Sequence, residues 1–65
     1  MYYWIMTLQE QMYGRSIRFA TSTGTTDIVD PEARANSAYV ESLRSAGFDQ
    51  AVVMFYHVEP VPQAN

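Results

Sequence analysis

From Tyr2 to Gln9 apolar side chains recur at both parities. Trp4, Met6 and Leu8 fall on one face of an extended chain, Tyr3, Ile5 and Thr7 on the other. A strand apolar on both sides belongs in the interior of a sheet, so a central strand is predicted over about 2–9. Gln9-Glu10-Gln11-Met12-Tyr13-Gly14 then turns polar and ends in glycine, the composition of a hairpin loop. The next strand, about 15–22, is one-sided. Ile17, Phe19 and Thr21 share one face, and Ser16, Arg18, Ala20 and Ser22 share the other. That pattern suits an edge strand, with Arg18 discouraging further pairing. The Thr/Gly run 21–26 reads as a hydroxyl-rich connecting loop.

Asp30-Pro31-Glu32 is a helix start. A carboxylate stands at the N-cap, a proline at the first helical position and an acid in the first turn. Gly47 can take the left-handed position after the last turn, with Phe48 folding back on Leu43, so the helix is predicted over about 31–46. Its expected apolar stripe is Ala35/Asn36, Tyr39/Val40, Leu43 and Ala46, with Glu32, Glu41, Ser42 and Arg44 outside. A last strand, about 50–58, is again apolar on both faces: Val52, Met54, Tyr56 and Val58 against Ala51, Val53, Phe55 and His57. Pro60 and Pro62 end it, because proline cannot donate to a ladder.

Strand, strand, helix, strand in that order predicts an α+β fold, a ββαβ mini-domain over 1–59 with an extended tail over 60–65. Placing the third strand beside the first gives a three-stranded antiparallel sheet of order 2-1-3, with one helix on one face. The opposite face is then left bare, carrying either Tyr3, Ile5 and Phe55 or Trp4, Met6 and Tyr56 according to register. Hydrophobic residues make up 48% of the 65 and aromatics 14%, enough for one small core and too many for disorder. There is no cysteine for a disulfide or a thiolate zinc site, and His57 is the single histidine, so neither metal nor cofactor is expected. The first residues carry no basic charge ahead of their short apolar run, and no run nears the roughly 18 residues of a membrane span. A cytoplasmic protein is the expectation.

The basic residues are Arg15, Arg18, Arg34 and Arg44, and with seven carboxylates they leave a net charge of −3, which disfavours nucleic acid. Arg15, Arg18 and Phe19, with Tyr3 and Tyr13, are still the one basic and aromatic grouping, the residue types that hold phosphates and stack single-stranded bases. His57 and Glu59 share a strand face, as a base and its orienting carboxylate would, but no nucleophile motif accompanies them and no catalytic residue is assigned. The Thr/Gly run lacks the lysine of a phosphate loop. Asp27, Asp30 and Glu32 do not have the spacing of a calcium loop.

The Trp-containing strand Tyr3–Gln9, the Gly24-Thr25 pair, the Arg-containing helix and Phe55-Tyr56-His57-Val58-Glu59-Pro60 together form a layout. It resembles short uncharacterised proteins of actinobacteria and their phages or plasmids. The resemblance implies a small intracellular accessory protein of a mobile element and brings no catalytic residues.

The expected function is therefore non-catalytic protein–protein contact, by a homodimer acting as adaptor, regulator or accessory factor, with itself and a further protein as partners. Small chains without disulfides or metal often gain stability by associating, here by closing the bare sheet face on its copy or by pairing the free edge of the third strand. The expected interface is Tyr3, Ile5, Phe55 and His57, with Phe19 nearby if register allows. The alternative is a single-stranded nucleic-acid binder using Arg15, Arg18 and Phe19.

Overall fold

The computed structural model of the protein describes residues 1–11 and 17–62, and of Gln11 the backbone alone. Its elements are β1 (Tyr2–Gln11), β2 (Ile17–Thr26), α1 (Pro31–Ala46) and β3 (Val52–Pro60). The sheet is antiparallel in the order β2-β1-β3. The fold is the ββαβ α+β arrangement that the pattern predicts. Residues 12–16, where the hairpin loop and Arg15 fall, lie outside the described residues, as do 63–65 of the tail.

The register decides which face the helix covers. Trp4, Met6 and Leu8 of β1 are buried with Ala38 and Phe48, and this cluster is the core. α1 lies on it through Arg34, Ala38 and Ser42, one residue per turn. The expected stripe is thus rotated: Ser42 faces inward at 1% exposure, while Val40 points to solvent. Small residues at Ala38 and Ser42 let the helix approach a sheet whose own side chains, Trp4 and Met6, are large. Tyr39, Leu43 and Ala46 pack on the core from one flank.

The helix ends form as the sequence predicts. Asp30 Oδ2 accepts from the Ala33 N–H at 2.9 Å, Gly47 is left-handed (φ 73°), and the Phe48 N–H donates to the Leu43 carbonyl at 3.0 Å. Arg34 is buried near the start of α1. Its Nη1 donates to the carbonyls of Ile28 and Val29, both at 3.2 Å, and its guanidinium lies 4.0 Å from the Tyr2 ring centroid. That strap holds the connection from β2 against the helix.

Strand boundaries differ from expectation in all three strands, and β1 itself runs to Gln11 rather than 9. The Thr/Gly run 21–26 is strand, not loop: β2 runs to Thr26 in unbroken register with β1. Threonine is β-branched and suits a half-covered sheet as well as a loop. Gly24 is opposite Trp4, where an added Cβ would stand 2.7 Å from the indole Cζ2, a close approach that marks glycine within a strand. β3 begins at Val52 rather than 50 because the Tyr39 hydroxyl engages the Ala51 backbone. It donates to the Ala51 carbonyl at 2.8 Å and accepts from the Ala51 N–H at 3.2 Å, withdrawing both groups from the ladder. At the far end β3 runs through Pro60, and the Val61 N–H donates to the Met1 carbonyl at 2.9 Å, so the first residues of the expected tail are tied to the sheet. No helix among the described residues is long and apolar enough to cross a membrane.

Candidate interaction surfaces

Directly opposed residues of neighbouring antiparallel strands project to the same face. On the face away from α1, Tyr3 lies between Thr25 and Glu59, Ile5 between Thr23 and His57, Thr7 between Thr21 and Phe55, and Gln9 between Phe19 and Val52. The fold therefore brings Tyr3, Ile5, Phe55 and His57 together on one surface and adds Phe19 and Val52 at its end. Phe55 is 53% exposed, and Phe19 and Val52 are each 64% exposed. The Thr7 and Thr21 hydroxyls bond to one another at 2.9 Å across the middle.

A bulge interrupts the pairing of β1 with β3. Thr7 opposes Phe55 and Leu8 opposes Val53, so Met54 has no opposite residue. The helix packs over β1 and β2, and Val53 and Met54 at this end of β3 stay exposed.

The other sequence candidates are scattered or already engaged. His57 Nε2 stands 4.0 Å from Glu59 Oε2, with both side chains more than half exposed. Arg18 and Phe19 point to opposite faces of β2. The expected role of Arg18 as a bare edge guard is corrected by its geometry: Nη2 donates to Glu10 Oε1, and the guanidinium lies 5.0 Å over the Phe48 ring. Among the described residues of the basic and aromatic grouping, Tyr3 and Phe19 are on the open face and Arg18 is on the helix side. Arg15 and Tyr13 lie outside the described residues. Asp30 is the helix cap, and Asp27 lies 3.7 Å from the Met1 amine.

Glu10, expected in a loop, is a buried strand residue. Its Oε2 accepts from the Asp49 N–H at 3.0 Å while Oε1 takes Arg18. Arg18's hydrogen bond is the largest cause holding this carboxyl below its ordinary value, partial burial opposes it, and the Asp49 N–H adds to the lowering.

A second surface was not anticipated. Between β2 and α1 runs an open groove of about 520 Å³, walled by Thr21–Thr26 on one side and by Ser37, Glu41 and Ser45 on the other, with Trp4 at its floor. The four-residue spacing of Ser37, Glu41 and Ser45 was the available signal. It places three polar side chains on one helix flank beside a strand of hydroxyls. Compared with known protein families, curated proteins and solved structures, the chain matches none.

Proposed function

We propose that the protein acts by protein–protein contact, without catalysis, and that its open sheet face closes on the same face of a second copy. One observation carries the reading: a single helix covers one side of the sheet and leaves Ile5, Phe55, Phe19 and Val52 on the other. Apolar surface of that kind on so small a chain marks an interaction site, and a two-fold dimer would bury it twice over. Charge favours self-apposition. Among the described residues, His57 and Glu59 are the face's ionisable pair, and both lie toward one end. The edge of β3 is the weaker candidate, since a bulge at Met54 and a proline at Pro60 blunt it against strand pairing. An adaptor or regulatory role in the cytoplasm belongs to the same reading, with α1 and the groove left outward for a further partner.

The test is absolute mass by light scattering after size exclusion, across a dilution series. Twice the 7.4 kDa chain mass, holding on dilution, is expected. A mass of 7.4 kDa at every concentration overturns the reading.

A further inference from the structure

We infer that the groove between β2 and α1 is a binding site for an extended peptide carrying a basic side chain, added as a fourth strand at the free edge of β2. The make-up of the wall is the first reason. Alternate residues of a strand face opposite sides, yet six successive residues, Thr21 to Thr26, border the groove. A wall of successive residues is the edge of the strand, its backbone included. Among the described residues the order β2-β1-β3 leaves that edge unpaired, with a row of N–H and C=O groups directed outward. Six residues of strand span about 20 Å, room for a segment of similar length.

The two edges of the sheet are treated differently. β3 carries a bulge, Pro60 and the ionisable His57 and Glu59. β2 pairs regularly with β1 along its whole length and has neither proline nor charge from Phe19 to Thr26. Arg18, which could have guarded this edge, is folded onto Glu10 and Phe48. An open edge beside a helix is where strand addition supplies affinity through the main chain, and the adjoining groove supplies specificity.

The groove's interior indicates the guest's chemistry. β2 turns Ser22 and Thr26 to the helix side while Thr21, Thr23 and Thr25 contribute at its edge, the helix adds Ser37 and Ser45, and Glu41 is the one charged residue among those that line the groove. Among the described residues the Glu41 carboxylate is held by Arg44 alone, at 3.0 Å in a solvent-exposed pair of small net worth. A guest lysine or arginine would meet that carboxylate among serine and threonine oxygens. Gly24 keeps the middle of the wall clear, because the strand lies directly against the Trp4 indole there. A second copy fits less well. Pairing β2 with β2 about a two-fold axis would bring both Glu41 carboxylates into one merged groove with no lining cation.

The probe is a fluorescein-labelled synthetic peptide of about eight alternating threonines and valines with a central arginine, followed by anisotropy and by amide shifts of the ¹⁵N-labelled protein. Binding is expected, with shifts in Thr21–Thr26 and Ser37–Ser45. N-methylation of one alternate set of peptide amides should weaken it about tenfold or more, the other set leaving it unchanged. Glu41→Gln, a solvent-exposed change whose fold is checked by circular dichroism, should weaken the arginine peptide and not an alanine one. The inference is overturned by no binding near ~1 mM, by shifts on the β3 edge, by equal loss from both methylation patterns, or by equal binding of arginine and glutamate peptides. A change of chain mass that blocks the peptide also overturns it, because the edge then belongs to a second copy. Peptide binding is read independently of the open-face dimer, since neither Phe55 nor Ile5 lines the groove.

Discussion

At the scale of single residues, Trp4 and Gly24 explain one another. The indole is 4% exposed and lies so close to the Gly24 backbone that a side chain there would meet it. Gly24→Ala would place a methyl 2.7 Å from Cζ2 and 2.9 Å from Cε2 of that buried ring. Overpacking of that kind costs about 1–3 kcal/mol, and a urea titration of the variant should lose that much. Because Trp4 is the only tryptophan, its emission should also move as the ring shifts. An unchanged midpoint with unchanged emission would mean that the strand yields instead of the ring. This contact could not be read from the run Thr21–Thr26 alone. Glycine among threonines looks the same in a loop as in a strand pressed on a distant ring.

At the scale of elements, Glu10 joins three of them: it sits in β1, accepts from Arg18 of β2 and accepts from the Asp49 N–H in the turn that leads from α1 to β3. Its carboxyl is held below the ordinary 4.5 in the folded chain. A depressed carboxyl contributes stability that is fully present above the unfolded value and is lost as pH falls through the folded one. Denaturation midpoints should therefore fall below pH 4.5 more steeply for the wild-type chain than for Glu10→Gln, in which that titration is absent. Parallel slopes would show that the contacts with Arg18 and Asp49 do not hold the Glu10 carboxyl below its ordinary value. Sequence pattern located β1 and β2 but not this link, because Glu10 and Asp49 are 39 residues apart and their meeting depends on where the helix sets the turn down.

For the whole molecule, the question is what covers the second face of the sheet. Phe55 is the aromatic near its middle, opposite Thr7, and is half exposed in the single chain. Phe55→Ser removes nothing from the buried cluster of Trp4, Met6, Leu8, Ala38 and Phe48, so its circular dichroism should match the parent. Its light-scattering mass should fall to that of one chain. Burying a phenylalanine fully contributes about 1.5–3 kcal/mol, and Phe55 has about half of its surface left to bury, so losing it twice in the proposed two-fold interface should raise the dissociation constant about tenfold to a hundredfold. An unchanged dimer would shift the interface away from this face.

The features legible in the residues themselves are those whose cause lies within a turn or two of chain. The helix limits are of this kind, since Asp30, Pro31 and Gly47 act on backbone groups three or four residues away. The central position of β1 is another, because apolar side chains at both parities require cover on two sides. From these the order β2-β1-β3 follows. Tertiary structure alone decided the rest: the length of β2, the start of β3 at Val52 and the inward turn of Arg34 and Ser42. It also drew Arg18 away from the edge it was expected to guard and opened the groove beside it. Three of these rest on a partner on another element, Trp4 for Gly24, Tyr39 for Ala51 and Glu10 for Arg18. Periodicity reports which side of an element is apolar, but such meetings depend on how the elements are laid against one another.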